Sequence, residues 1–517
     1  MSWSSLSGRQ GPLIELFDYW EHTACIKEMS KNLLEPSNPF LQLEGSTTLR
    51  YTPYIFLLAL VMEITGWDLG LIIPSVSMLS FLFFLLGIYL FCKEYFRDGE
   101  QPLYTLITLL FLWGEPFNFS SEYNLRFLSY TLFYPSQVTC GLSFIGWYYF
   151  LRFVRYNATP DYWKYLVLAI FIFTAHSLTG TCFLLGIFLL TLTEGPKRIR
   201  NSGLYLLSVA VVLMITIMWP YYPFLKALQN TVSTPWAEET RGYLYATRNI
   251  YKMGPAVLGF PVILFMLVKR KYHFISYGFV LCTAIYVLTY KPKIYLGERY
   301  IFYIIVFLHL ALAWYLKTLR VLSFTAMKDT LINLSEKTIH TLIFAAIVML
   351  GISYQLAKLG FEQMGYTIDF RPRPIVQRYE NPLDNYKALI GKIKRGDIVL
   401  SDPLTSWLIP TVTDAKIVAL YHDNPLVPDN AQRVEHSLAF YDTTTDSEKR
   451  RLILKKYNVT HVLLNFDRMS DTVANRINDY YKNYVISEPL TDDLKRLGRI
   501  ILSNDHFRLY EINPGQW

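Results

Sequence analysis

The sequence predicts a polytopic α-helical membrane domain followed by a small α/β domain. Apolar runs fill most of residues 71–358, and only 17% of the 517 residues are charged, whereas soluble proteins carry about 25% charged residues. After residue 359, short apolar strand patterns alternate with amphipathic helix patterns, which is typical of an α/β domain. We therefore expect three regions: a first loop over 1–70, a transmembrane domain of about ten helices over 71–358, and a soluble domain over 359–517.

The apolar runs set the expected membrane spans, since a span needs about 20 residues. Residues Thr52 to Gly66 are apolar but short, so we expect an interfacial helix there rather than a span. Spans are predicted at 71–92, 102–114, 134–152, 162–176, 178–194, 203–220, 254–269, 273–290, 300–317 and 339–357.

Basic residues fix the predicted orientation of these spans. Lysines and arginines follow the first, third, fifth, seventh and ninth spans, and such loops face the cytoplasm. The first loop and the C-terminal domain are then extracytoplasmic, in a multi-pass plasma-membrane protein. An exported first loop without a signal peptide predicts a further helix upstream of it. The basic junctions contain Lys93 and Arg97, Arg152 and Arg155, Lys197, Arg198 and Arg200, Lys269, Arg270 and Lys271, and Lys317, Arg320, Lys328 and Lys337.

The net charge of +8 is explained by these loops, and no nucleic-acid-binding module or basic-aromatic patch is visible. The bilayer, not nucleic acid, is the expected partner. The five cysteines are scattered and show no metal-binding spacing with histidine. None lies in the C-terminal domain, which therefore has no disulfides.

The C-terminal domain is predicted to contain a mostly parallel sheet. No glycine-rich phosphate-binding pattern follows any of its strands, which argues against a nucleotide site. The expected helices are Leu383–Arg395, a short one near Ser406, Asn430–Tyr441, Glu448–Lys456 and Asp471–Tyr484; the expected strands are Asp397–Ser401, Lys416–Tyr421, His461–Leu464, Arg499–Leu502 and Phe507–Ile512.

The first loop carries the most unusual polar residues. Asp18 and His22 are four residues apart and share one face of a helix, with Glu21 beside them. Further ionisable residues fall at the same predicted outer edge, and such residues at membrane edges suggest a shared cavity. Among them are Glu115, Glu122, His176, Lys293 and Arg299.

Each of these residues also has a purely structural explanation. Asp18 and His22 are compatible with a solvated helix face, and Arg299 with an anchor at the lipid headgroups. His176 fits a hydrogen-bonding residue at a helix end, and Glu115, in Trp-Gly-Glu-Pro, fits a turn. Spacing alone does not choose between these interpretations and a functional site.

The Asp-x-x-x-His pattern before a Tyr-x-Pro helix resembles the GT-C class of membrane glycosyltransferases, which includes protein mannosyltransferases and oligosaccharyltransferase catalytic subunits. Gly-Glu-Arg-Tyr at 297–300 and Asp-Ile-Val-Leu-Ser-Asp-Pro-Leu-Thr-Ser at 397–406 are similar to uncharacterised prokaryotic members, as is Lys-Lys-Tyr-Asn-Val-Thr-His-Val-Leu-Leu at 455–464. Such proteins normally have a helix before the aspartate loop, so the resemblance also implies that this chain lacks its first transmembrane helix.

The resemblance implies inverting transfer of a sugar from a polyprenyl-phosphate-linked donor to a glycan, lipid or protein acceptor at the cell envelope. Asp18 is the expected catalytic base, and Arg299 with Lys293 is expected to hold the lipid phosphate. Metal dependence stays open, with Mg²⁺ or Mn²⁺ as the candidates. The other expected substrate-binding residues are Glu21, His22, Glu115 and His176.

Two other functions remain open at this stage. The first is a transporter or lipid flippase, although the sequence shows no matched halves with broken helices, which such proteins often have. The second is a catalytically inactive GT-C-like protein that serves as a structural subunit.

Overall fold

The structure is a computed structural model, and the chain divides into two units. One is a helical unit of residues 70–219 and 233–378, and the other is an α/β unit of residues 10–69, 220–232 and 379–517. The described residues are 17–43, 48–117, 119–221, 223–229, 235–246, 249–292, 297–329, 336–363, 366–369, 375–378, 382–420, 422, 424, 426–466, 486–513 and 515.

The helical unit has a helix at each of the ten positions where the sequence predicts a span. Four stretches are long and apolar enough to cross a membrane among the described residues: Leu69–Phe96, Arg198–Met218, Ile250–Val268 and Gly297–Leu319. The protein is therefore a multi-pass membrane protein. With α1 and α2 assigned below to the other unit, the helices are α3 (Leu69–Phe96), α4 (Gln101–Phe111), α5 (Leu125–Thr131), α6 (Pro135–Tyr156), α7 (Thr159–Ala175), α8 (Ser177–Thr193), α9 (Arg198–Met218), α10 (Phe224–Gln229, in the α/β unit), α11 (Pro235–Leu244), α12 (Ile250–Met253), α13 (Gly259–Val268), α14 (His273–Leu288), α15 (Tyr300–Asp329) and α16 (Glu336–Gln363).

The basic junctions meet at one end of the helical unit. Arg155, at the third junction, contacts both the first and the fifth, because its guanidinium lies 3.2 Å from a carboxylate oxygen of Glu94 and 2.9 Å from one of Glu194. Lys317 pairs with Asp98, which brings the ninth junction to the first. These contacts are those expected if the loops share one side of the membrane.

At the opposite end, the loop between α4 and α5 is held by a close backbone approach. The Gly114 N–H donates to the Lys252 carbonyl at 3.1 Å. Gly254 has a φ of +57°, and a Cβ there would lie 2.3 Å from the Gly114 nitrogen. Only glycine fits this position without strain, so these two glycines fix the loop.

The α/β unit contains a mixed five-stranded sheet of order β4-β3-β5-β7-β6. β3 pairs in parallel with β4 and β5, whereas β7 pairs antiparallel with β5 and β6. The prediction of a mostly parallel sheet is wrong, because only three residues separate β6 from β7, which forms a hairpin. The strands are β3 (Ile398–Leu400), β4 (Lys416–Ile417), β5 (His461–Asn465), β6 (Gly498–Ser503) and β7 (Phe507–Ile512), while β1 (Tyr366–Asp369) and β2 (Ile375–Arg378) form a separate antiparallel pair in the helical unit.

The predicted helix Leu383–Arg395 ends early, at Lys387, before turns at Gly391 (φ +77°) and Gly396 (φ +94°). The prediction near Asp471–Tyr484 lies outside the described residues. One helix was missed, α21, which Ser487 caps. The helices are α17 (Pro382–Lys387), α18 (Ile409–Thr413), α19 (Asn430–Tyr441), α20 (Ser447–Lys456) and α21 (Glu488–Leu497).

The first loop folds as part of the α/β unit. Its helices are α1 (Phe17–Lys31) and α2 (Pro53–Thr65). The Ile417 N–H donates to the Phe40 carbonyl at 2.7 Å, so the loop continues the sheet edge beyond β4. Lys27 of α1 lies 2.8 Å from Asp414, at the end of α18. The α/β unit thereby fixes the orientation of α1.

A buried ion pair anchors this unit and generates a stability prediction. Arg450, which is 2% exposed, lies 2.8 Å from Asp493 and donates to the carbonyls of Phe440 and Asp442. Asp493→Ala leaves this charge buried and unpaired, so we expect a loss of about 3–5 kcal/mol in the free energy of unfolding. Thermal unfolding of the full chain in detergent, followed by circular dichroism, measures it.

The control is Glu448→Ala, which breaks an exposed pair with Arg451 at 3.9 Å and should cost about 0.5 kcal/mol or less. Equal destabilisation by the two variants would contradict the assignment of Arg450 as an anchor.

Candidate active site

Arg50 joins two carboxylates of α1. Asp18 and Glu21 are three residues apart, which places them on one helix face. Arg50 Nε donates to Glu21 Oε2 at 2.8 Å, and Arg50 Nη2 donates to Asp18 Oδ1. One guanidinium therefore bridges both acids.

Two residues of the C-terminal region complete this group. His422 Nδ1 lies 2.7 Å from Glu21 Oε1 and 3.2 Å from Arg50 Nη2. Trp407 Nε1 donates to the same Glu21 oxygen at 2.9 Å. We call Asp18, Glu21, Arg50, Trp407 and His422 the carboxylate cluster.

Burial and charge act in opposite directions on the cluster. Burial alone would raise the pKa of Glu21. The charges of Arg50 and His422 outweigh burial and lower this pKa below its ordinary value, to about 2. Burial lowers the pKa of His422, and the neighbouring Glu21 carboxylate outweighs this effect and raises it. Asp18 and Glu21 likewise raise the pKa of Arg50. Glu21 is therefore ionised at neutral pH and lies against the Arg50 guanidinium and a His422 imidazole whose pKa is raised.

The two acids differ in accessibility. The Asp18 side chain is 32% exposed, whereas that of Glu21 is 6% exposed. His22, also on α1, is buried. Of the three predicted first-loop residues, Asp18 is the one that an external molecule can reach directly.

The other predicted residues lie in the helical unit. Glu115 contacts Lys358 at 2.8 Å and Tyr354. Burial alone would raise the pKa of Glu115. Hydrogen bonds from these two partners outweigh burial and lower this pKa below its ordinary value. Glu115 is therefore an ion-paired carboxylate that ties its loop to the end of α16.

His176 ends α7 and begins α8, where its Nδ1 accepts the Thr179 N–H at 3.3 Å. This is the capping geometry that a purely structural role produces. Arg299 lies over the ring of Phe119 at 4.9 Å, and its buried Nε has no hydrogen-bond partner among the described residues. Lys293 lies outside the described residues.

Sequence patterns did not identify three members of the cluster. Arg50 stands in the first loop, where its charge was a usable signal, but no spacing rule links it to Asp18. Trp407 and His422 come from the far end of the chain, and only the tertiary fold brings them to α1.

Glu122, in the loop between α4 and α5, is a further buried acid. Its side chain is 0% exposed and accepts hydrogen bonds from the Phe119 N–H at 2.9 Å and from Asn124 Nδ2 at 3.1 Å. Burial raises the pKa of Glu122 to about 7, against the opposing effect of these hydrogen bonds and of nearby Lys252 and Arg126. This carboxyl organises the loop beneath Arg299.

The cluster also offers donors for a divalent cation. One ligand atom each from Asp18, Glu21 and His422 lies within 4.8 Å of the others. Two carboxylate oxygens and an imidazole nitrogen suit Mn²⁺ better than Mg²⁺, which favours oxygen. The residues fit such an ion in kind, but Arg50 already neutralises both carboxylates, so ion and guanidinium compete for the same oxygens.

No protein-family model matches the sequence, and no curated protein does either. Solved structures do match. The apo oligosaccharyltransferase of Archaeoglobus fulgidus aligns with 96% of this chain and 70% of its own, at a TM-score of 0.51 and 12% identity. The oligosaccharyltransferase AglB of the same organism, in complex with an inhibitory peptide and a dolichol-phosphate, aligns with 97% of this chain and 71% of its own. The TM-score is 0.53 and the sequence identity is 11%. The chain thus shares its fold with this archaeal oligosaccharyltransferase over nearly its whole length.

Competition between Arg50 and a cation leads to a binding prediction. Arg50→Ala frees the two carboxylates, so we expect 1 mM MnCl₂ to raise its melting temperature by several degrees, through a few kcal/mol of ligand stabilisation at most. The wild-type chain should shift less. Thermal unfolding in detergent, with and without the ion, is the measurement.

Arg50→Ala combined with His422→Ala is the control, since it removes one ligand and should lose the added shift. Equal shifts in wild type and Arg50→Ala would show that Arg50 does not compete for the site.

Glu122 gives a pH prediction. Because its folded pKa, about 7, exceeds the ordinary value of about 4.3, the folded state binds an extra proton between these limits. The stability that the protonated Glu122 carboxyl contributes to the folded state is full below pH 4, and it is lost as the pH rises through 7. We expect Glu122→Gln to flatten the fall in melting temperature between pH 5 and 8.

Glu115→Gln serves as the matched variant, because the lowered pKa of Glu115 places its titration below this window. An unchanged slope in Glu122→Gln, or an equal change in Glu115→Gln, would contradict the prediction.

Proposed function

We propose that this protein is a membrane glycosyltransferase that transfers a sugar from a polyprenyl-phosphate-linked donor to an acceptor at the extracytoplasmic face. The observation that carries the proposal is the fold likeness over 96–97% of the chain, joined to a carboxylate cluster on its first helix. That one relative binds a dolichol-phosphate supports the choice of donor lipid. The acceptor is a glycan, a lipid or a protein.

In this proposal, Asp18 is the general base. It is the more exposed of the two bridged acids, and its pairing with Arg50 fixes its orientation. An acceptor hydroxyl that approaches it would give up its proton to Asp18 as its oxygen bonds to the anomeric carbon of the sugar. The bond from that carbon to the donor phosphate oxygen would break, the polyprenyl phosphate would leave, and in-line attack would invert the carbon. Glu21, enclosed by Arg50, Trp407 and His422, positions Arg50 rather than reacting itself.

Arg299 is the proposed contact for the donor phosphate. A guanidinium recognises phosphate through paired hydrogen bonds and stabilises the charge that develops on the leaving group. Its stacking on Phe119 and its buried Nε without a partner leave hydrogen-bonding capacity for such a ligand. Lys293 is the proposed second cation, and Glu115 and His176 hold the surrounding loops.

A divalent cation, if bound, would be held by Asp18, Glu21 and His422 and would supply Lewis-acid stabilisation of negative charge. The proposed location is the plasma membrane, with the C-terminal domain outside the cytoplasm, as the basic junctions predict.

One observation favours a second candidate. Arg50 neutralises both carboxylates of α1, which is the arrangement that a GT-C-like structural subunit without catalysis would retain. Within the described part of the chain, no observation favours a transporter or flippase.

Asp18→Asn tests the enzymatic proposal. In liposomes that contain the full chain, labelled polyprenyl-phosphate hexoses, a peptide and a membrane lipid extract, we expect transfer to fall about 100-fold or more, as for loss of a general base. The Michaelis constant for the donor should change little. Arg299→Ala should instead raise that constant, because it removes phosphate binding.

His176→Asn is the control, since asparagine can also cap a helix and should retain activity. Unchanged transfer by Asp18→Asn would remove Asp18 as the base. No transfer by a folded wild-type chain with any of these donors would favour the structural subunit.

A further inference from the structure

A groove opens on the surface of the helical unit, at the end where the basic junctions meet. It has a volume of about 390 Å³, within the range of small-molecule sites. Its walls come from α6, α7 and α9. The residues that matter here are Phe153, Asn157, Trp163, Leu166, Arg200 and Leu207, and we call it the α6–α9 groove.

The body of the groove is apolar and faces outward. Trp163 and Leu207 are 60% and 56% exposed, and only 22% of the apolar window of α9 is buried within the protein. A helix this exposed and this hydrophobic contacts acyl chains in a bilayer, and tryptophan is enriched where chains meet headgroups. The groove is therefore an apolar surface that faces the lipid.

The mouth of the groove is basic. Arg200 lies over the ring of Phe153 at 5.3 Å and donates to Asn157 Oδ1 and, at 3.1 Å, to Asn201 Oδ1. Among the described residues, no carboxylate forms a salt bridge with it. Neutral acceptors orient this guanidinium without cancelling its charge.

The acidic residues at this end already have partners. Asp161 lies 3.0 Å from Arg152 and 3.3 Å from Lys164, and Glu194 is paired with Arg155. Residues 152–200 contain six basic and two acidic side chains. The net charge of this segment therefore stays positive after its acidic residues are paired. Arg200 is the basic residue of the segment that lines the groove.

We propose that the α6–α9 groove binds an anionic phospholipid, with an acyl chain against Trp163, Leu166 and Leu207 and the headgroup phosphate on Arg200. Basic pockets between membrane helices, at the end predicted to face the cytoplasm, bind anionic headgroups. The groove's apolar lining favours a lipid over a free anion, and its positive mouth favours an anionic over a zwitterionic headgroup. This site lies at the opposite end of the helical unit from Arg299.

The test is native mass spectrometry of the full chain, delipidated in detergent and titrated with phosphatidylglycerol or phosphatidylcholine that carry identical palmitoyl and oleoyl chains. We expect the wild-type chain to bind phosphatidylglycerol about fivefold more tightly. Arg200→Glu should abolish that preference, since one basic residue at a membrane surface contributes on the order of a fivefold effect. Leu207→Trp, which fills the groove, should weaken binding of both lipids.

Arg198→Glu is the matched control, because it makes the same charge change in the same segment at an exposed position outside the groove lining. It should change binding less than twofold. If Arg200→Glu does not fold, Arg200→Gln replaces it and should reduce the preference. Equal binding of both lipids by the wild-type chain, or equal effects of Arg198→Glu and Arg200→Glu, would overturn the proposal.

Discussion

The guanidinium of Arg50 is the contact on which the carboxylate cluster depends. Two carboxylates three residues apart on α1 repel each other, and at 4 Å two unit charges interact by roughly 4 kcal/mol in a partly buried setting. Arg50 converts this repulsion into two ion pairs. It also brings the segment before α2 to α1, so the same contact sets both the charge and the shape of the first loop.

The Arg50 bridge explains why Glu21 is buried while Asp18 is not. Glu21 receives hydrogen bonds or charge from Arg50, Trp407 and His422, and a buried carboxylate needs such full pairing. Asp18, at the start of α1, keeps about a third of its side chain exposed. The two acids therefore differ in their surroundings: Glu21 is buried and fully paired, whereas Asp18 is paired and accessible.

Sequence patterns predicted the helices well because bilayer thickness and apolar run length determine them together. Helices α8 and α14 begin and end within two residues of their expected limits for this reason. Strand direction in the sheet was less accessible, since it depends on which strands pair and not on local pattern. Asp18 and Glu21 were singled out from the Asp-x-x-x-His pattern together with the family resemblance. Their partners Trp407 and His422 were not predicted, because contacts between distant parts of a chain leave no periodic signal.

The fold likeness and the cluster carry different information about chemistry. At 11–12% identity, the likeness shows the fold alone, so function must be argued from the site. A guanidinium and a divalent cation can both neutralise two carboxylates, but only the cation supplies a Lewis acid, and a guanidinium stays protonated at all working pH values. A chain that keeps Arg50 in place therefore has an oriented Asp18 carboxylate and a fixed positive charge beside it. Under the proposed enzymatic function, Asp18 would act as the base and cationic side chains such as Arg299 would stabilise the leaving group; in a structural subunit, the same pairing would only hold the loop. The chemistry at α1 is decided by which cation, guanidinium or metal, occupies the space between its two acids.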